Sequence, residues 1–222
     1  MIDRTTMESA GGPYERLYVA TPSLWRGHVG EMVEFFCENV RQPLKTGQIV
    51  ANAIDLGGGE GDNAIYLAER GYRVHLVDLS PTAIMHFEKR LETVRDEVRD
   101  RLTCECGSVD ALTLAGRYDV IVAYGLLHCF PTAGEANRVA RACVSALTSG
   151  GYFIVSALTD GVPVDRHVHP ELATCHLPSV SELRAWLRGL TDVKVEVDRF
   201  DETHGQGPSH RHEVFRGIFR AP

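Results

Sequence analysis

The fold is decided by residues 49–80, IVANAIDLGGGEGDNAIYLAERGYRVHLVDLS. An apolar run ends in Asp55, the chain passes through Gly57, Gly58, Gly59 and Gly61, and an amphipathic stretch starts near Asp62. A second apolar run closes on Asp78, 23 positions after Asp55. Strand, glycine turn, helix and strand make one βαβ unit. Glycines are needed at such a turn because a Cβ would clash with the helix that follows and hold a ligand off the backbone. A carboxylate ending the second strand can accept hydrogen bonds from both hydroxyls of a ribose, so Asp78 marks a nucleoside site.

Two nucleoside chemistries share that outline. A dinucleotide site requires GxGxxG and a helix N-terminus free to meet a pyrophosphate. Here the glycines read GxGxG (Gly57, Gly59, Gly61), Asp55 precedes them and Glu60 sits inside the turn. A pyrophosphate would face two carboxylates. A ligand carrying an ammonium and a sulfonium would be attracted by them.

Outward from this unit, short apolar runs alternate with longer amphipathic stretches, the pattern of a mainly parallel sheet. Strands are expected at about 49–55, 74–78, 102–106, 118–123, 151–157, 193–200 and 213–220, and helices at about 62–70, 81–98, 133–147 and 179–190. Pro81 fits a first helical turn capped by Ser80. The fold class is therefore α/β, a Rossmann-like doubly wound sheet of seven strands with helices on both faces. Residues 1–47 read as an N-terminal helical cap and 48–222 as the core, together one domain. Within the cap, Tyr14, Leu17, Tyr18, Trp25, Met32, Phe35 and Phe36 either pack the first helix onto the core or close a substrate pocket, with Tyr18 and Trp25 the best placed to line it.

Composition sets the outer bounds. Hydrophobic residues make up 44% of the 222 and charged residues 24%, which suits one continuous core. A formal charge of −7 from 23 basic and 30 acidic side chains, with no basic stripe, opposes nucleic acid. No apolar run reaches the ~18 residues of a membrane span, and the opening MIDRTTMESAGGPYER lacks a signal-peptide core, so a cytoplasmic chain without a membrane partner is expected. Monomer and homodimer both fit. The six cysteines are too sparse for a disulfide framework and form no CxxC pair.

With these residues in view, DLGGGEG followed by VDLS resembles motif I of class I S-adenosylmethionine-dependent methyltransferases. YDVIVAYGLLHCF resembles that family's fourth strand and its exit, and SGGYFIVSAL its fifth strand. The resemblance implies that Gly57, Gly59 and Gly61 lie along the methionine part of S-adenosylmethionine, that Asp55 approaches its ammonium and that Asp78, with Leu79 beside it, holds the nucleoside. It also places Tyr124 near the sulfonium and implies S-adenosylhomocysteine as product. One departure stands out: where many members carry an acid that bonds the adenine amino group, CGSVDAL has Ser108, so Ser108 and Val109, or Asp110, take that place.

The tail RFDETHGQGPSHRHEVFRGIFR is similar to the end of the tellurite-resistance methyltransferases and, more loosely, of thiopurine methyltransferases. The matching residues are Glu202, His204 and Arg211, and the likeness implies a small, soft acceptor, a thiol or an oxyanion, near the methyl group. His128, His204 and Arg211 are the candidate catalytic and acceptor-binding residues, joined by Tyr18 and Trp25 as pocket lining. The rival readings are a methyltransferase acting on oxygen or nitrogen and a non-catalytic binding module. Ten histidines include the pairs His167/His169 and His210/His212, but no HExxH or carboxylate grouping accompanies them, and no metal is expected.

Overall fold

The computed structural model describes residues 14–23, 27–40, 51–109, 114, 118–165, 168–202 and 210–222. The strands are β1 (Asn52–Leu56), β2 (Arg73–Asp78), β3 (Leu102–Cys106), β4 (Tyr118–Tyr124), β5 (Leu147–Leu158), β6 (Thr191–Glu202) and β7 (His210–Arg220). They form one seven-stranded sheet in the order β3-β2-β1-β4-β5-β7-β6. β1 through β5 pair in parallel, and β7 inserts antiparallel between β5 and β6. The strand order reverses between β1 and β4, which opens a crevice at the carboxyl ends of the parallel strands, where ligands bind in such sheets.

Both faces of the sheet are covered, which is why the central strands are continuously apolar rather than alternating. In β4, Ile121 and Ala123 join a core with Val139, Ala140, Cys143, Leu183 and Trp186, while Val120 and Val122 join the opposite core with Met32, Val33, Phe36, Leu67 and Phe87. The first layer comes from α6 (Ala133–Ala146) and α7 (Val180–Trp186). The second comes from α2 (Glu31–Phe35), which continues as a π-helix over Phe36–Val40, from α3 (Asp62–Glu69) and from α4 (Pro81–Leu91). A short α1 (Glu15–Ala20) lies ahead of them.

The helix expected over 81–98 is two helices, α4 and α5 (Asp96–Arg99). Thr93 explains the break: its hydroxyl and its N–H both donate to the Arg90 carbonyl, drawing that acceptor away from helix continuation. The start of α4 is as read, with Ser80 Oγ accepting from the Ala83 N–H and Pro81 in the first turn. α7 stops at Trp186, short of the expected 190, and the chain then turns at Gly189 with φ +101°. β7 begins at His210, three residues before the expected 213.

Candidate active site

At the end of β1 the backbone turns away from the sheet and is held by β2: Gly57 and Gly58 both donate to the Val77 carbonyl. Gly57, Gly59 and Gly61 have φ of +65°, +55° and +84°. At Gly61 the glycine is compulsory, because a Cβ there would stand 2.2 Å from the Phe87 ring of α4. The turn therefore serves the packing of α3 on α4 as well as any ligand.

Four buried carboxylates surround this turn: Glu15, Asp55, Glu60 and Asp78. Asp78 Oδ2 accepts from the Gly59 N–H at 2.8 Å and Oδ1 from the Ser80 N–H at 2.8 Å, so one side chain ties the glycine turn to the β2–α4 corner. Glu60 Oε1 is met by His86 Nδ1 at 2.7 Å and by the Ser23 N–H at 3.1 Å. Asp55 Oδ2 and Glu60 Oε2 are buried without a hydrogen-bond partner. Burial pushes the Asp55 carboxyl up to about 7, with the charge of Asp78 adding to the rise and a hydrogen bond from the Ala64 backbone opposing it. Burial also raises Asp78, against the pull of its two backbone donors. Uncompensated acids at this depth fit a ligand that brings positive charge and hydroxyl donors.

α1 lies across the turn. The Tyr18 hydroxyl is so close that a Cβ on Gly59 would stand 2.5 Å from it. Glu15 is fully buried, and its carboxylate accepts from the hydroxyls of Ser80 and Thr82 at the start of α4. The stretch after α1 is fastened by backbone donors, Gly27 to Asp62 Oδ1 at 3.0 Å and Gly30 to Asn63 Oδ1 at 2.8 Å.

His128 lies where β4 leaves the sheet. It is buried, and its Nδ1 accepts from the Leu158 N–H at 3.1 Å. That bond places the neutral ring's proton on Nε2, which faces the Tyr14 hydroxyl across a long 3.4 Å contact. Burial lowers the ring to about 4, and His212 nearby adds to the shift. His128 is thus a neutral donor near pH 7, with its basic nitrogen engaged by the backbone. Tyr14 is held well above its usual range by burial, with Cys129, Glu171 and Cys175 adding to the shift.

The other expected residues are distributed unevenly. Leu79 is 40% exposed at the end of β2, an uncovered apolar side chain beside Asp78. Val109 packs partly on the core, next to a half-buried Ser108. Tyr124 packs on the chain just before and within α2: a Cβ on Gly30 would meet its ring at 2.7 Å, and its hydroxyl donates to Glu31 at 3.3 Å. The alternation of β4 sets it on the sheet face covered by α2, α3 and α4. Arg211 lies near the start of β7. It is exposed and forms a two-point ion pair with Asp201 at 2.9 and 3.0 Å, on the face of β7 opposite His210 and His212. Trp25, His204, Asp110 and the side chain of Glu202 lie outside the described residues.

Sequence reasoning missed a second cluster. His169, His210 and His212 present ring nitrogens that all lie within 4.8 Å of one another. The signal was available: two histidines two apart on a strand share one face. His169 comes from a 3-10 turn, Pro170–Leu172, whose surroundings are anchored by the His176 N–H donating to the Phe130 carbonyl. A cleft of about 320 Å³ lined by Asp119, Thr148, Tyr152 and Arg220 lies at the other end of the parallel strands, away from the buried acids.

An acid-lined glycine turn at the switch point of a doubly wound α/β sheet suits a nucleoside ligand that carries positive charge. Residues 54–153 match the family model described as a methyltransferase domain. Across them the chain is similar to a methyltransferase domain. No curated protein sequence matches the chain. The fold is similar to that of TehB from Haemophilus influenzae, at 18% identity and a TM-score of 0.69 over 94% of this chain and 67% of that one. It is also similar to the N-methyltransferase NodS from Bradyrhizobium japonicum in complex with S-adenosyl-L-homocysteine (17%, TM-score 0.64, 98% and 97%). A third likeness is to magnesium protoporphyrin IX methyltransferase from Synechocystis PCC 6803 with bound S-adenosylmethionine (16%, 0.55, 77% and 69%). Among the described residues, no helix is long and apolar enough to cross a membrane.

Proposed function

We propose that the chain methylates a small molecule through a soft nucleophile, a thiol or a similar anion. When bound, S-adenosylmethionine supplies a methyl carbon on a sulfonium, open to in-line displacement. Asp55 and Glu60 would hold the cationic amino-acid end, Asp78 the ribose, and Leu79 with Val109 the adenine faces. Tyr18 and Glu15 would close over the cofactor and exclude water, which strengthens every charge interaction beneath them.

The observation that carries the acceptor class is the state of His128. An alcohol or amine needs a general base within about 3 Å. His128 keeps its proton on Nε2 and gives Nδ1 to the Leu158 backbone, so it orients and donates rather than accepts. A thiol, with an ordinary pKa near ~8.5, is already a few per cent ionised at neutral pH and needs no such base. The formal charge of −7 further supports a small acceptor over nucleic acid.

A panel of thiols, phenols and amines incubated with methyl-labelled S-adenosylmethionine tests this. Thiol methylation is expected to exceed that of phenols and amines at least tenfold. Turnover confined to oxygen or nitrogen acceptors would overturn the soft-nucleophile reading.

A further inference from the structure

The histidines gathered beside the acceptor end are not explained by methyl transfer. The centroids of His169, His210 and His212 lie 4.5, 4.7 and 4.9 Å apart, a nearly equilateral triangle, and the rings are inclined to one another by 64° to 83°. The rings meet edge to face, and one nitrogen from each lies within 4.8 Å of the other two. His169 Nε2 and His210 Nε2 face each other at 2.8 Å, a distance that one shared proton bridges in the metal-free protein. The third imidazole, His212, converges on the same point.

The support around His169 is the second observation. Its Nδ1 is 2.8 Å from Glu171 Oε1, which fixes that N–H on the carboxylate and leaves the Nε2 lone pair directed at the other two rings. A carboxylate behind a ligating histidine sets its tautomer and raises its basicity, as in zinc sites. His169 and His212 are buried, and Phe200 packs against the His212 ring at 5.9 Å. Three nitrogens about 2.0–2.1 Å from one tetrahedral zinc stand about 3.3 Å apart, so closing on an ion requires the 2.8 Å pair to open by about 0.5 Å.

We propose that His169, His210 and His212 bind one divalent transition metal ion, zinc in the first instance, and leave its fourth position open. Three neutral imidazoles suit zinc and its neighbours rather than calcium or magnesium, and three protein ligands with one free position are the pattern of a reactive site. The cluster adjoins the exit of β4: His212 lies near enough to His128 to shift it electrostatically, and Cys175, four residues past Glu171, reaches the Cys129 carbonyl at 3.5 Å. Resting on the soft-acceptor reading above, the open position takes the acceptor thiol, whose sulfur coordinates the metal as its proton leaves to bulk solvent.

Cobalt(II) provides a visible probe. The full-length chain, without a histidine tag, stripped by a chelator and free of cofactor, is titrated with cobalt(II) alone. One equivalent per chain with the intense visible bands of a tetrahedral ion, displaced by zinc(II), is expected. His169→Ala and His212→Ala should abolish the spectrum, Glu171→Gln should keep it with 10- to 100-fold weaker binding, and His75→Ala, on β2, should leave it unchanged. Absence of stoichiometric binding by the unmodified chain, a result independent of how any variant folds, overturns the site, as does full binding by a folded His212→Ala chain. Adding 2-mercaptoethanol to the cobalt-loaded chain should bring a sulfur-to-cobalt charge-transfer band; its absence removes the thiol from the open position. Neither readout uses turnover, so a failure of the methyl-transfer reading and a failure of the metal site are separately visible.

Discussion

Asp55 shows how one side chain can oppose folding and serve binding. Its carboxyl is pushed up to about 7 in the folded chain against an ordinary 3.8, chiefly by burial, with Asp78 and Asp62 adding and the Ala64 N–H opposing. Between those two values the folded chain holds a proton that the unfolded chain has lost, so stability falls as pH rises through this interval and levels off above it. Asp55→Asn should therefore stabilise the cofactor-free protein at pH 8 by on the order of 2 to 4 kcal/mol and change little at pH 4. The same substitution should weaken S-adenosylmethionine at least tenfold through the lost charge-assisted contact. Urea unfolding at the two pH values and calorimetry check both halves; equal stability changes at pH 4 and pH 8 would show that Asp55 ionises normally. His128 offers a complementary test: its ring resonance should titrate near 4, and an inflection near 6.5 by NMR would mean that the ring is open to solvent rather than buried. Residue chemistry of the glycine turn was readable because Asp55, Glu60 and Asp78 are close in sequence to the glycines they serve. The direction of Tyr124 and the pairing of Arg211 were not, since each depends on which face of a strand meets a distant partner.

Elements add constraints that no single residue carries. α3 and α4 approach so closely at Gly61 that Gly61→Ala combines a clash with the Phe87 ring and a strained positive φ. It should cost roughly 2 to 4 kcal/mol in urea unfolding; a loss under 0.5 kcal/mol would mean that the two helices can separate freely. α1 is only six residues long, too short to be helical on its own, and is held by burial of Tyr18 and by the Glu15 carboxylate on Ser80 and Thr82. Glu15→Ala leaves two hydroxyls without their acceptor and should free α1 while the sheet stays folded. Amide exchange over residues 15–20 should speed up at least tenfold with exchange in β1 and β4 unchanged; protection retained in α1 would place its anchor elsewhere. The strands were readable element by element because a parallel sheet buried on both faces is written as uninterrupted apolar runs. The division of 81–98 was not, because Thr93 reads as an ordinary helix residue until its hydroxyl finds the Arg90 carbonyl.

For the whole molecule, the order β3-β2-β1-β4-β5-β7-β6 gathers the ends of β1, β2 and β4 at one rim and swings the start of β7 round to meet them. Local sequence foretold the first part, since the glycine turn and Asp78 belong to one βαβ unit. It could not foretell the second: His169 and His212 are 43 positions apart and meet only because β7 runs antiparallel beside β5. A ligand that binds the folded state alone stabilises it by about 2.7 kcal/mol at 100 times its dissociation constant. S-adenosylhomocysteine at that excess should raise the melting temperature by roughly 5 to 10 °C, and NADH should not; the reverse order would return the site to the dinucleotides. The placement of α1 bears on the tempo of the reaction. Tyr18 lies over Gly59 and Glu15 holds Ser80, so on the proposed reading a cofactor would neither arrive nor depart until that helix detaches. Escape of the spent nucleoside would then govern the turnover clock, and loosening the amino-terminal latch would quicken the cycle while letting more of the bound cofactor leave unused.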